Sequence, residues 1–359
     1  MVQMKVVEVI AGLHRIGGVT TFVGGLSNAL VEAEVEVSIA TFRSTGGADD
    51  FIPDNRVHIV DARNVRVEDF DVVHIHGLWD REIFWASGAA LRHGVPLVWS
   101  PHGMLSPWSL KFKRWKKFLP WHLYLDRRLR QADVLHVTAS NEAKWIRELG
   151  FVNRIEVVPL GTQPKSVAGD MVAPEKRVLF VGRIHQVKGI ENLLKAWALV
   201  LSEYKMSSSS CYLDLVGMAD AGYQSELSRL VHQLGIEQTV RFLGPKFGEE
   251  LKQSYQRSWV SVLPSFTENF GGVVIDSLSN KCPVIASTNT PWEDLSKRKC
   301  GWWIDNAPDR LSKAILEALS LSKEDRLKMG ESGRKLVEES YTWRAVAKKM
   351  KDVYESIAI

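Results

Sequence analysis

Apolar, β-branched runs recur along this chain at intervals that leave room for a helix between neighbours. Lys5 to Ala11 (KVVEVIA) is the first, and the segment from Gly12 to Gly18 follows it as a glycine-bearing loop. A pattern of helical period then runs from Thr20 to about Glu32. Further runs predict strands at Val35–Thr41, Val57–Val60, Val72–His76, Pro96–Ser100, Val134–Thr138 and Ile155–Val158, with helical stretches between several of them. Strands alternating with helices predict a parallel sheet covered on both faces. The segment Gly161 to Pro174 (GTQPKSVAGDMVAP) breaks the rhythm: it has no period and is rich in Gly, Pro, Ser and Ala, which predicts an interdomain linker. A second series follows, with strands predicted at Arg177–Val181, Tyr212–Val216, Val240–Leu243, Val260–Leu263 and Val284–Ala286. Closing helices are expected at Pro308–Ser320, Lys323–Glu339 and Thr342–Ser356, and Ser207–Ser210 reads as a solvated loop. The predicted class is α/β, with two Rossmann-like domains facing each other across a cleft. Ligands of open α/β sheets bind at the carboxyl ends of the strands, which would line that cleft.

Composition narrows the picture. At 359 residues the chain is long enough for two cores, and 45% hydrophobic with 25% charged residues is the balance of a soluble globular protein. A net charge of +4 does not mark a nucleic-acid binder. The three cysteines, Cys211, Cys282 and Cys300, form no C-x-x-C, which argues against a disulfide framework or a zinc knuckle and fits a reducing cytoplasm. Met1 to Ala11 is too short and too interrupted for a signal peptide, and no apolar run approaches the roughly 20 residues of a spanning helix. Any membrane contact is therefore expected to be peripheral.

Candidate chemistry gathers at predicted strand ends. Ser265 to Asp276 (SFTENFGGVVID) joins the run ending at Leu263 and Pro264 to a helix expected from Gly272 to Leu278. It places Glu268 in the loop and Asp276 about one turn into the helix, where free N–H groups suit a phosphate or sugar hydroxyls; an ordinary capped loop is the alternative. Gly182 to Gly189 (GRIHQVKG) sets Arg183 and Lys188 five apart on a loop closed by glycines. That arrangement suits a diphosphate, or is two solvated cations. His102, before Gly103, is expected to expose its ring at a sharp turn, where it could hydrogen-bond a sugar hydroxyl, or to be a packed loop histidine. His74 and His76 share one face of a strand, and the structural reading is preferred for both. Gly17 and Gly18 form a close-approach loop at a helix start, but the G-x-G-x-x-G fingerprint is absent. Asp49-Asp50 and Asp214 are poorly placed for a D-x-D metal motif and read as surface or structural.

Four motifs in order carry a resemblance that covers nearly the whole chain: Gly17-Gly18-Val19, Ser100-Pro101-His102-Gly103, Gly182-Arg183 with Lys188-Gly189, and Glu268 through Asp276. The chain resembles the retaining glycosyltransferases of family 4, which have the GT-B fold. The resemblance implies that Arg183 and Lys188 hold the donor diphosphate. It implies that Glu268, Asn269, Phe270, Gly271 and Gly272 hold the donor sugar, and that His102 contacts that sugar from the first domain. Asp276 stands where the family has a second Glu for the ribose hydroxyls, one methylene shorter. The base is expected near Val240 to Lys246. The last helix resembles the family's terminal helix that crosses back. The implied domains are thus 1–164 with 342–359 for the acceptor and 165–341 for the donor. No cofactor and no metal is expected.

Leu110 to Gln131 (LKFKRWKKFLPWHLYLDRRLRQ) interleaves eight basic residues with aromatics, and Pro120 is expected to break it into two segments. Basic and aromatic residues at helical spacing suit an anionic lipid surface; a solvated helix with its aromatic side in the core is the alternative. No nucleic-acid motif accompanies it. The pattern after Ser100 also resembles bacterial enzymes that build O-antigen, capsule or exopolysaccharide units. The expected activity is transfer of a hexose or N-acetylhexosamine from a nucleotide sugar, UDP favoured, to a lipid-linked glycan acceptor. The expected location is the inner face of the cytoplasmic membrane. GDP-mannose as donor, a small soluble acceptor, and a catalytically silent scaffold subunit are the alternatives.

Overall fold

The structure is a computed structural model and describes residues 3–13, 18–42, 55–112, 114–164, 175–203 and 211–358. Gly17, Asp49-Asp50, Lys113, Ser207–Ser210 and most of the expected linker lie outside the described residues. The chain divides into two compact units, Met1–Gly161 with Tyr341–Ile359, and Thr162–Ser340.

The N-terminal unit holds seven strands: β1 (Lys5–Ile10), β2 (Glu36–Thr41), β3 (His58–Asp61), β4 (Val72–His76), β5 (Leu97–Ser100), β6 (Val134–Val137) and β7 (Arg154–Val157). They form one parallel sheet in the order β3-β2-β1-β4-β5-β6-β7. The C-terminal unit holds β8 (Lys176–Val181), β9 (Cys211–Val216), β10 (Val240–Gly244), β11 (Val260–Leu263), β12 (Val284–Ser287) and β13 (Gly301–Ile304). These too are parallel, in the order β10-β9-β8-β11-β12-β13. In each sheet the chain winds outward from a central strand, then returns to that strand's other side. The reversals fall between β1 and β4 and between β8 and β11. There the loops leave in opposite directions and open a crevice at the carboxyl ends.

Every predicted strand is present, with no end moved by more than one residue. β13 was not predicted. Its residues, Gly301-Trp302-Trp303-Ile304, are half-buried at a sheet edge, so they lack the β-branched run that marks the buried strands. Pro120 does not break the segment 110–131 as expected. Helix Arg114–Pro120 passes into a widened π-helical turn, Trp121–Leu125, and on to Asp126–Leu129. Proline lacks the N–H that would close the preceding turn, and the wider turn takes up the misfit.

Alternation along β1, β4, β5 and β6 sends Val6, Val72, Val98 and Val134 to one face. Val7, Val73, Leu97 and Leu135 go to the other. The first face is covered by helix Gly18–Glu32 and by the last helix, Trp343–Glu355, whose Val346, Met350 and Tyr354 enter the core. The two helices touch closely. A Cβ on Gly25 would lie 2.1 Å from the Trp343 ring.

This contact predicts a reversal of sign. Gly25→Ala alone should cost about 1–3 kcal/mol through overpacking. In a Trp343→Ala background the same change should stabilise by up to about 1 kcal/mol through helix propensity. Urea unfolding of the four proteins checks it; equal effects in both backgrounds would refute the contact.

Candidate functional site

In the C-terminal unit, two loops leave β8 and β11 on either side of the reversal and are laced together. After β8 the chain forms a single 3-10 turn, Gln186–Lys188, capped by His185, whose Nδ1 accepts from the Val187 N–H at 3.2 Å. Gly189 closes it at φ +64°, and a Cβ there would lie 2.2 Å from the Pro264 carbonyl oxygen, so only glycine lets the two loops approach. The Phe266 N–H donates to the Val187 carbonyl at 2.9 Å, and Asn306 Nδ2 donates to the Pro264 carbonyl at 3.1 Å.

This lacing brings Lys188 to Glu268 across 80 residues of sequence. Lys188 Nζ donates to Glu268 Oε1, and Ser265 Oγ donates to the same oxygen at 2.7 Å. Both charged side chains are mostly buried, at 17% and 12% exposed, so their attraction is little screened by solvent. Arg183 is exposed and has no hydrogen bond or ion pair among the described residues. Phe270 packs edge-on to Trp292, whose Nε1–H donates to the Phe270 carbonyl at 2.6 Å. Gly271, at φ +82°, turns the chain into helix Val273–Ser279 beside Leu263 and Trp292. Asp276, one turn in, faces a cavity of about 190 Å³ also lined by Lys252, Tyr255, Asn280 and Gln163. The protein packed round its carboxyl pushes the Asp276 pKa up to about 6.

In the N-terminal unit the polar residues on the face covered by the last helix join into one chain. Glu8 on β1 stands in register with His74 on β4. Glu8 is bonded through Oε2 to His76 Nε2, and His76 Nδ1 lies 2.9 Å from His102 Nε2. On the other side the Tyr354 hydroxyl donates to Glu8 Oε1 at 3.1 Å and lies 2.6 Å from His74 Nδ1. His74 Nε2 and His136 Nδ1 each lie 2.6 Å from Ser100 Oγ, and His136 Nε2 lies 2.8 Å from the Val158 carbonyl oxygen. Apart from half-buried His102, these side chains are buried. Burial alone would raise Glu8, but His74 and His76 hold it well below the usual carboxylate range. Burial lowers His76 to about 4 and His136 to about 3, with His74 beside both adding to the effect; it also holds His102 well below the ordinary histidine range.

The His102 backbone does turn sharply, at φ +51° before Gly103 at +76°. Its ring, however, packs against Phe22 and His76 rather than standing exposed. Glu8, His74 and His76 offer ligand atoms within 4.8 Å of one another, a spacing a metal ion could use, and each of those atoms already takes part in the hydrogen-bonded chain. Gly18 opens helix Gly18–Glu32, with no atom of the described residues within 4 Å of where a Cβ would be.

Two family models match the chain one after the other: "Glycosyltransferase Family 4" over residues 16–165 and "Glycosyl transferases group 1" over residues 168–336. The chain belongs to glycosyltransferase family 4. A D-inositol 3-phosphate glycosyltransferase of Nocardiopsis dassonvillei is 30% identical over 240 residues, 61% of this chain and 54% of that protein. Its namesake from Thermobispora bispora is 28% identical over 303 residues, 79% of this chain and 70% of that protein. The matched region is thus about half the length of the first of these relatives. Among solved structures, sucrose-phosphate synthase of Thermosynechococcus elongatus superposes with a TM-score of 0.77 at 21% identity, covering 99% of both chains. HepE of Anabaena in complex with UDP gives 0.75 at 16%, covering 99% of this chain and 100% of that one. These likenesses establish the GT-B fold, with two Rossmann-like domains.

Within this family-4 chain, the motif residues Lys188, Glu268, Phe270 and Gly271 are gathered at the β8/β11 reversal. Asp276 lies one helical turn further on, against its own cavity. Sequence reasoning overlooked Glu8, His136, Tyr354 and Ser265. The visible signal for the first was a lone acid inside an apolar strand (KVVEVI), a position that needs a buried partner.

The buried histidines predict acid sensitivity. His76 and His136 stay neutral in the folded protein down to about 4 and 3, whereas the unfolded chain protonates them below about 6.5. The unfolded state therefore binds more protons in that window, so stability falls as pH drops from about 6.5 toward 4. Each of these histidines contributes a slope of about 1.4 kcal/mol per pH unit. Urea unfolding of the N-terminal unit between pH 7.5 and 4.5 measures it; a flat profile would contradict the neutral buried rings.

Proposed function

We propose that this chain transfers a hexose or N-acetylhexosamine from a UDP-linked sugar to a lipid-linked glycan acceptor, in the synthesis of a bacterial surface polysaccharide such as O-antigen. The observation that carries the donor half is the Lys188–Glu268 pair at the β8/β11 reversal. Lys188, with the exposed Arg183 on the same loop, supplies positive charge for a diphosphate. Glu268 is an acceptor for sugar hydroxyls, and Asp276 is the corresponding acceptor for the ribose. As the acceptor hydroxyl oxygen bonds to the anomeric carbon, the bond from that carbon to the diphosphate breaks. The hydroxyl proton passes to the departing phosphate, and Lys188 and Arg183 stabilise the charge that develops there. In this reading the new bond forms on the face from which the diphosphate leaves, which retains the configuration, and the two cations do this work without a metal.

The acceptor half is supported by the segment that follows His102. Trp115, Phe118 and Leu123 are 73%, 65% and 68% exposed, and Trp108, Phe112 and Leu119 are exposed with them. Lys111, Arg114, Lys116 and Arg127 stand exposed among them. Trp121 and Tyr124 pack against the core, while the other aromatics of the segment stand outside it. A groove of about 640 Å³ between Trp79, Trp115, Phe118 and Trp121 is rimmed by Arg114 and Lys117. Apolar side chains beside cations suit the headgroup region of an anionic bilayer, and no helix among the described residues is long and apolar enough to cross one. In this reading the chain sits peripherally, on the inner face of the cytoplasmic membrane. A soluble phosphorylated acceptor, as in the name of the inositol 3-phosphate relatives, is the second reading.

Lys188→Ala should weaken UDP binding by about 10- to 100-fold, the equivalent of about 1.5–3 kcal/mol for a charge-assisted contact. Arg183→Ala should weaken it less, because that side chain is solvated. Calorimetry decides: unchanged UDP affinity in Lys188→Ala would remove the diphosphate assignment.

Replacing Trp115, Phe118 and Leu123 together by Ala should lower co-sedimentation with phosphatidylglycerol-containing vesicles at least tenfold, with UDP affinity unchanged. Equal sedimentation of wild type and variant would favour the soluble acceptor.

A further inference from the structure

The polar chain in the N-terminal unit consists of seven hydrogen bonds in series, running from His102 through His76, Glu8, Tyr354, His74, Ser100 and His136 to the Val158 carbonyl. Each bond needs one hydrogen, and each group has a fixed supply. The Val158 oxygen can only accept, so His136 Nε2 carries a proton and donates to it. The neutral ring then has a bare Nδ1, which accepts from the Ser100 hydroxyl. That uses the one hydrogen of Ser100, so the Ser100 oxygen accepts from His74 Nε2–H. At the other end the Tyr354 hydroxyl donates its one hydrogen to the Glu8 carboxylate. The Tyr354 oxygen must then accept from His74 Nδ1–H. His74 therefore donates from both nitrogens and is an imidazolium. It lies 3.5 Å from Glu8 Oε2, so one buried carboxylate is balanced by one buried cation and the chain as a whole is neutral.

The same bookkeeping fixes the half-buried end. The remaining Glu8 oxygen accepts from His76 Nε2–H. Neutral His76 then has a bare Nδ1, which accepts from His102 Nε2–H. His102 is thereby held in one tautomer, with its Nδ1 bare. That nitrogen has no partner among the described residues, and the residue is only half-buried.

We propose that Glu8 and His76 are positioning residues that lock His102 in its Nε2–H tautomer, so that its Nδ1 acts only as an acceptor for a sugar hydroxyl, with His74, donating from both ring nitrogens, anchoring the lock. The identity of the hydroxyl rests on the glycosyltransferase reading above; the tautomer does not. A histidine free to exchange tautomers could offer either a donor or an acceptor at that point. The relay removes the choice. It also ties the setting of His102 to the last helix, because Tyr354 supplies the hydroxyl that bridges Glu8 and His74.

Long-range 1H–15N correlation spectra of the full chain labelled with 15N-histidine, at pH 7.5, test this without substrate. The expected result is His102 protonated at Nε2 only and His74 protonated at both nitrogens. Glu8→Gln supplies the distinguishing variant. Its amide N–H can donate to Tyr354, whose hydroxyl then turns to His74 Nδ1, while its carbonyl still accepts from His76. His74 should become singly protonated, since a cation there would be buried uncompensated, and His102 should keep its tautomer. Glu8→Leu, which offers neither group, should leave His102 as a mixture of tautomers. A wild-type His102 protonated at Nδ1, or a singly protonated wild-type His74, would overturn the proposal, as would a His102 tautomer change in Glu8→Gln. Stoichiometric zinc uptake by the wild type that is abolished in His76→Phe would also overturn it, because the lone pairs of Glu8, His74 and His76 would then face a metal. Calorimetry with UDP reads the donor assignment separately, since it reports on Lys188 in the other unit.

Discussion

A parallel sheet has no face it can leave to water, because its inner strands are buried on both sides. This constraint shapes the N-terminal unit. Helix Gly18–Glu32 covers part of the face carrying Val6, Val72, Val98 and Val134, and the end of the chain supplies the rest. Helix Trp343–Glu355 belongs to this unit although the C-terminal unit precedes it in sequence. Its apolar side meets Gly25 and Gly161, two positions where any side chain would strike Trp343. The covering helix also delivers a hydroxyl. Tyr354 reaches Glu8, the one acid on β1, and satisfies the carboxylate oxygen that His76 does not. The cover that completes the core thus also completes the polar chain that ends on His102.

The alternation of elements was legible because parallel strands are near-continuous apolar runs and the glycine-bearing loops punctuate them. What failed was local. The Trp pair of β13 sits at an edge, half-buried, and lacks the β-branched run. Pro120 marks a real discontinuity, but it widened the helix where a break was expected, since tertiary packing on Leu125 and Leu129 holds the segment helical. In the site, the loops of Gly182–Gly189 and Ser265–Asp276 stood out because glycines beside charges at strand ends have few other uses. The polar chain did not stand out. It draws single residues from β1, β4, β5, β6 and the last helix, and each alone looks like a blemish in a buried pattern. Only the register of the sheet shows that Glu8, His74 and His76 share one face with Ser100 and His136.

The basic and aromatic segment shows where periodicity stops being informative. Lys, Arg and Trp at helical spacing fit equally well a helix burying its rings and one presenting them. The structure decides by exposure: Leu125 and Leu129 go inward, while Trp115, Phe118 and Leu123 do not. Large apolar side chains held outward among cations have no use in water alone, where they cost solubility. The proposed membrane contact would give them a second, less polar phase beside that groove of about 640 Å³.

The Lys188–Glu268 pair carries an asymmetry that bears on what the C-terminal unit accepts. A free cation on a loop would attract any diphosphate. Here the cation is already neutralised by a carboxylate and mostly buried with it. An approaching diphosphate gains from Lys188 but is repelled by Glu268, so a bare phosphate compound gains little net attraction. A ligand that also brings hydroxyl donors converts Glu268 from a repulsive neighbour into an acceptor, and both charges are then satisfied at once. Ser265, already donating to the same carboxylate oxygen, holds the acid in place while that exchange occurs. On the proposed donor reading, the pair would therefore favour molecules that join an anionic diphosphate to a polyhydroxylated group over either part alone. Discrimination of that kind needs no additional residue, only two opposite charges kept in contact by loops that Gly189 allows to touch.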